Sequence, residues 1–233
     1  TYDLYLLNKE EIDKQELKDI YDLETRLQPC LIDMRAQGVR VDLDQADIAK
    51  KQLIKKEKKL MLEIKKMCGL DIEIWAAASI AKAFDKLNIK YPLTAKSKAP
   101  SFTKNFLLNH EHEIAQKIVE AREMNKANTT FIDTILRHQH KGRIHSEIHQ
   151  MRSDDGGTVT GRFSYSNPNL QQIPARNEDI KKMIRSLFIP EEGTQWGTFD
   201  YSQQEPRLVV HYAYADGLDV RTIVNGYREG KAD

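Results

Sequence analysis

Hydrophobic residues recur at steps of three and four over residues 16–37, where Leu17, Ile20, Leu23, Leu27, Leu31 and Met34 make one stripe. The spacing predicts an amphipathic packing helix, with Gly38 standing where it would stop. Val39 and Val41 alternate with Arg40 and Asp42, which predicts a short extended piece and a second helix start at Asp42 or Asp44. From Asp44 to Met67, Ile48, Leu53, Ile54, Leu60, Met61 and Ile64 keep helical spacing, and Gly69 ends the run. Residues 70–110 hold short periodic pieces around Ile80, Phe84 and Leu87, with an exposed polar loop expected at Tyr91–Ser101. Another long helix is predicted from Glu113 to Arg137 on Ile114, Ile118, Ala121, Ala127, Phe131 and Ile135. After Lys141-Gly142-Arg143 the pattern changes. Ile144, Ile148 and the stretches Leu187–Ile189 and Trp196–Phe199 have strand-like composition between Gly-rich turns. The order describes an α+β chain, a helical arm followed by a mixed region.

Charge alters this picture in one place. The 36 Lys and Arg nearly cancel the 35 Asp and Glu, so the net charge of +1 sets up no global field toward a polyanion. Yet from residue 50 to 66 this helix carries Lys50, Lys51, Lys55, Lys56, Lys58, Lys59, Lys65 and Lys66 against only Glu57 and Glu63. Such a run is either a solvated face or a surface turned toward phosphates. No uncharged apolar run approaches the roughly 18 residues of a membrane span, and Thr-Tyr-Asp-Leu does not open a signal segment. A non-membrane, cytoplasmic protein is expected. Cys30 and Cys68, the only cysteines, lie in separate helical stretches and are expected to be reduced, mostly buried thiols.

Candidate chemistry concentrates in two segments. Residues 156–176 are rich in Gly, Ser, Asn, Gln and Pro and carry Arg162 and Arg176. This is a plain loop, or one whose amides and guanidinium forks meet base edges and sugar–phosphate backbone. In residues 198–207, a strand is expected to end at Asp200 and a helix to begin, with Glu205 and Pro206 in its first turn. A carboxylate at a strand end can hold a hard cation such as Mg²⁺; the plainer alternative is a helix cap and a surface carboxylate. The pairs His138/His140 and His145/His149 lack Cys or carboxylate partners at ligand spacing and read as ordinary histidines. Asp22-Leu23-Glu24 has the form of an exonuclease metal pair, but it falls within the amphipathic 16–37 stretch rather than on a strand.

The order of these segments resembles the polymerase region of DNA polymerase I-type, family A, DNA polymerases over essentially the whole chain. The resemblance rests on Thr160, Gly161, Arg162, Pro168, Asn169, Leu170, Gln171, Ile173 and Pro174, followed by the motif A residues Asp200, Tyr201, Ser202, Gln203, Glu205 and Arg207. Weaker support comes from Leu23-Glu24…Gly38-Val39…Val41-Asp42 and from Gly142-Arg143-Ile144-His145…His149-Gln150. The resemblance implies an incomplete right-hand polymerase fold. Residues 1–41 would be the helix leading into the polymerase region and the palm base, with Tyr2–Leu7 as the tail of an upstream exonuclease domain; 42–141 would be the helical thumb; 142–233 would be the first part of an antiparallel-sheet palm. It implies template-directed transfer from dNTP to a primer 3′-hydroxyl with two Mg²⁺ ions. Asp200 would ligate both ions and the Tyr201 carbonyl one of them; Glu205 would exclude ribonucleotides, with Tyr201 and Gln203 beside the nucleotide. Arg162 would test the primer-terminal pair from the minor groove. Asn169, Gln171 and Arg176 would hold DNA near it, and Lys51 and Lys55 would face duplex phosphates.

Gln204 and Pro206 stand where the family commonly has Ile and Leu, and Arg152–Gly157 is an additional segment; both resemble phage-encoded members. The family's fingers helix with its Lys and Tyr, and its His-Asp-Glu motif, do not occur in these 233 residues. The expectation is therefore that this chain alone binds primer–template DNA but adds no nucleotide, the fingers and remaining palm being supplied in cis or by a second chain. The rival expectation is a non-catalytic DNA-binding fragment or split-polymerase subunit.

Overall fold

The computed structural model describes residues 2–153, 156–173 and 177–230. By packing, the chain divides into two compact units, Thr1–Glu192 and Gly193–Asp233.

The first unit opens with helices α1 (Tyr2–Lys14) and α2 (Lys18–Gln37). Gly38 closes α2 at φ 62°, its N–H donating to Met34 O. A Cβ there would lie 2.6 Å from Ile144 O, so only glycine permits the close approach to the sheet. The α2 stripe is not the buried face its spacing suggests. Leu31 is buried, but Leu17, Ile20, Leu23 and Met34 are exposed. Periodicity creates an apolar face; only a neighbouring surface buries it, and the principal neighbours of α2 among the described residues are α1 and strand β4 (Glu147–His149). Cys30, on the same helix, is exposed, correcting the expectation of a buried thiol, whereas Cys68 is buried; both are free.

A small antiparallel sheet runs in the order β1 (Val39–Arg40), β3 (Arg143–Ile144), β2 (Gln139–His140), with Val39 opposite Ile144. Leu187–Ile189 extends its margin without forming a strand of its own. Phe188 bridges Val41, Asp42 N donates to Leu187 O at 2.8 Å, and Ile189 N donates to Arg40 O at 3.1 Å.

Helix α3 (Leu43–Cys68) starts where Asp42 accepts from Gln45 N at 2.9 Å and ends at left-handed Gly69. Its 26 residues span roughly 39 Å, which lets one helix serve two cores. The first half contributes Ala46, Ala49 and Leu53 to a cluster with Ile132, Ile135, Ile144, Ile180 and Ile184. The second half contributes Ile64 and Cys68 to the arm core with Ile80, Phe84, Phe102, Leu107, Ile114 and Ile118. That arm is built from α4 (Ala77–Lys86), α5 (Lys104–Leu108) and α6 (Glu113–Lys126). The long helix expected to Arg137 is interrupted: a π-helical stretch at Ala127–Ile132 separates α6 from α7 (Asp133–His138).

β4 pairs antiparallel with β5 (Ser164–Ser166), placing Glu147 opposite Ser166. A 3₁₀ turn at Leu170–Gln172 and helix α8 (Glu178–Arg185) follow.

The second unit holds α9 (Gln204–Ala215) and α10 (Arg221–Arg228), joined by the Arg207 guanidinium 4.5 Å from the Tyr227 ring. Trp196–Phe199 is not a strand. Among the described residues it joins no β-strand, and Phe199 is 95% exposed. Among the described residues no helix is long and apolar enough to cross a membrane.

Candidate nucleic-acid interface

The loop that joins β4 to β5 and continues into the 3₁₀ turn presents Arg162, Asn169 and Gln171. Arg162 is exposed and lies two residues before β5. Its carbonyl accepts from Thr158 Oγ1 at 2.7 Å, and the next carbonyl, Phe163 O, accepts from Gln171 Nε2 at 3.0 Å. Asn169 caps the 3₁₀ turn by accepting from Gln171 N at 3.0 Å. Two of the amides expected on DNA therefore also hold the loop in shape. Arg176 lies outside the described residues, as does Pro174 of the loop motif.

Under the loop lies a polar network not anticipated from sequence. Glu147 accepts from Ser166 Oγ at 3.0 Å, from Asn167 Nδ2 at 3.0 Å and from Arg35 Nη2 at 3.4 Å. Those donors, Asn167 and Ser166 foremost, hold its carboxyl below the usual Glu range. His149 Nε2 is 2.8 Å from Ser166 Oγ. Because that hydroxyl gives its single proton to Glu147, it accepts from an Nε2–H on His149. Gln150 reaches α2, donating to Glu24 Oε2 at 2.7 Å. The histidines and the Asp22/Glu24 pair are thus in structural use: His138 Nδ1 lies 3.0 Å from Thr134 O, His145 Nδ1 2.8 Å from Arg35 O, and Asp22 pairs with Lys18 at 2.8 Å.

Between the arm and the 3₁₀ turn lies an open cleft of about 360 Å³ lined by Lys104, Glu123, Lys126, Gln171, Gln172 and Asn177, among others. Glu123 Oε1 accepts from Lys104 Nζ at 2.8 Å and Oε2 from Asn177 Nδ2 at 3.0 Å, tying α5 and α6 to the start of α8. Burial works against the Glu123 charge, but these two donors outweigh it and hold the pKa below the ordinary value. Its stabilisation is complete above the ordinary Glu pKa of about 4.3 and is lost as pH falls through the lowered folded value. Glu123→Gln is expected to cost roughly 1 kcal/mol at pH 7, read as a lower urea midpoint. The gap to wild type should close in acid; an unchanged gap would show that charge is not the reason.

On α3, Lys50 pairs with Asp133 at 2.6 Å, Lys59 with Glu63 at 3.8 Å and Lys65 with Asp71 at 2.7 Å. Lys51, Lys55, Lys56 and Lys58 are exposed and make no salt bridge among the described residues. Four uncompensated ammonium groups within two turns give a local positive field despite the neutral total.

In the second unit, Asp200 and Tyr201 are exposed on the segment before α9 rather than at a strand end. Gln203 sits at the helix start in a left-handed conformation, φ 51°. Glu205 and Pro206 occupy the first turn, where the missing proline N–H costs no helical bond. Arg207 Nε donates to Ser202 O at 2.9 Å, closing that turn. The Asp200 carboxylate and the Tyr201 carbonyl are hard oxygen donors of the kind Mg²⁺ takes, so the donor chemistry fits. Among the described residues no three His, Cys, Asp or Glu converge as metal ligands.

The profile of DNA polymerase family A matches residues 44–223. The chain belongs to DNA polymerase family A. It is 38% identical over 213 residues to a "DNA-directed DNA polymerase" of Pseudomonas phage M6, covering 87% of this chain and 32% of that protein. It is 30% identical over 249 residues to "DNA polymerase I" of Synechocystis sp., covering 100% of this chain and 25% of that protein. Among solved structures it resembles the "POL domain of Pol1 from M. smegmatis complex with DNA primer-template and dNTP", with TM-score 0.70 and 26% identity over 91% of this chain and 40% of that one. This family A chain thus spans about a third of the phage relative's length, and its fold is part of a polymerase fold.

Proposed function

We propose that this family A segment grips primer–template DNA and contributes part of the catalytic site for template-directed nucleotidyl transfer from dNTP to a primer 3′-hydroxyl. In this reading residues 1–41 form the approach to the palm, 42–141 the thumb and 142–233 the first part of the palm. The observation that carries the reading is the loop built on the β4–β5 hairpin, which presents Arg162, Asn169 and Gln171, with Gln171 also lining the cleft beside the arm. Arg162 would probe the minor groove at the primer terminus, where acceptors common to all base pairs report geometry rather than sequence. Asn169, Gln171 and Arg176 would steady the strands there, and Lys51 and Lys55 would meet phosphates farther along the duplex.

Asp200 and the Tyr201 carbonyl would hold Mg²⁺, which supplies positive charge to the reacting oxygens when bound. Glu205 would crowd the sugar 2′ position, with Tyr201 and Gln203 flanking the nucleotide. Further carboxylate and triphosphate contacts would come from other residues, in cis or from a second chain. The setting would be the cytoplasm, bacterial or of a phage-infected host.

The test is a salt series of anisotropy measurements with the 233-residue protein and a labelled primer–template. Affinity should fall linearly on a log–log plot, and Lys51→Ala/Lys55→Ala should reduce the slope by about 2, one counterion per lost phosphate contact. Salt-insensitive binding, or an unchanged slope in the double variant, would refute the phosphate assignment.

A further inference from the structure

We infer that Glu147 is a positioning residue that sets where Arg162 and Gln171 meet DNA, an inference that rests on the interface proposed above. Arg35 ties Glu147 to α2, part of the body of the first unit, so one carboxylate links that body to the turn leaving β5. Ser166 is the last residue of β5, and Asn167 is the next; both side chains donate to Glu147 Oε2. Asn167 has φ 51°, a left-handed turn conformation that asparagine adopts more readily than other non-glycine residues, and the bond from its Nδ2 to Glu147 anchors that turn. Directly after it come Pro168 and Asn169, and Asn169 starts the 3₁₀ turn that carries Gln171. The Gln171 amide then reaches back to Phe163 O, the carbonyl adjoining Arg162.

The path is therefore closed. Glu147 holds the turn, the turn places Gln171, and Gln171 holds the backbone beside Arg162. The donor count suits a charged acceptor: Ser166, Asn167 and Arg35 all give protons, and an amide in place of the carboxylate would turn an N–H₂ toward some of them. His149 closes the far side by donating to Ser166 Oγ, which leaves that hydroxyl pointed at Glu147.

The test is a double-mutant cycle on the 233-residue protein, read as the dissociation constant for a labelled primer–template at fixed salt. Arg162→Ala/Gln171→Ala removes the two side chains being placed and should weaken binding at least about tenfold. Glu147→Gln alone should weaken binding about fivefold, the effect of losing one ordinary hydrogen bond. In the Arg162→Ala/Gln171→Ala background the same Glu147→Gln change should weaken binding by no more than about twofold, because nothing remains to be placed. A general structural prop would show its penalty equally in both backgrounds, so an undiminished penalty overturns the inference, as does Glu147→Gln binding like wild type. Ser166→Ala, which cuts the same link from the other strand, is run through the same cycle and carries the test if Glu147→Gln does not fold. If Arg162→Ala/Gln171→Ala binds as tightly as wild type, the interface itself is wrong and the inference falls with it, an outcome distinct from failure of Glu147 alone.

Discussion

Asp200→Asn is expected to lower primer extension about a thousandfold in a polymerase of the relatives' length that carries this segment. The estimate follows from the several kcal/mol that metal-held charge contributes to phosphoryl transfer, at about 1.36 kcal/mol per tenfold in rate. The change removes a negative oxygen donor and little else, because Asp200 is exposed and packs into no core. Duplex binding by the 233-residue protein should accordingly stay within about twofold of wild type, since phosphate contacts supply that affinity. Gel extension with Mg²⁺, beside anisotropy on the same variant, reads both quantities. Extension within about tenfold of wild type would exclude Asp200 as a principal ligand.

The second large effect belongs to the arm. Phe84 is fully buried, with ring centroids 4.9 Å from Phe102, 5.7 Å from His110, 6.3 Å from Tyr91 and 6.5 Å from Phe106. Phe84→Ala deletes the ring around which α4, α5 and the intervening loop gather, and should cost about 3–5 kcal/mol. Urea unfolding followed by near-ultraviolet circular dichroism measures the loss. A cost below about 1 kcal/mol would mean that the arm collapses onto the gap without penalty. The cluster of Leu53, Ile132 and Ile184 is separate from the arm core and joined to it through α3 and, at Met124, the end of α6, so the loop bearing Arg162 should keep its structure when the arm loosens. Amide exchange that separates the two regions would display this.

The helices were the most legible part of the chain because their signals are local. Asp42 and Gly69 bracket α3 in the structure as capping chemistry requires, and the apolar spacing of Leu53 and Ile64 faces the two cores. The π-helical stretch at Ala127–Ile132 carries no comparable mark, since a wider turn is chosen by what both sides of the helix must bury. The loop motif was readable as a motif, and Asp200 with Glu205 as a spacing. The donors that make Glu147 a hub were not. Arg35, Glu147 and Asn167 lie far apart along the chain, and a hydrogen bond between them leaves no periodic trace.

Local order therefore belonged to the sequence: where helices start and stop, which loop cannot pack, where lysines cluster. Burial and register belonged to the tertiary structure. The α2 stripe and the α3 stripe have the same spacing, yet one is largely exposed and the other divides between two cores, because an apolar face is buried only where another element arrives to cover it. Trp196–Phe199 has strand composition but no strand, because a β-ladder needs an edge that no single segment can provide for itself. The placement of Arg162 follows the same physics. Its side chain is named by the motif, while its position is set by Thr158, Gln171 and Glu147, which only folding brings together.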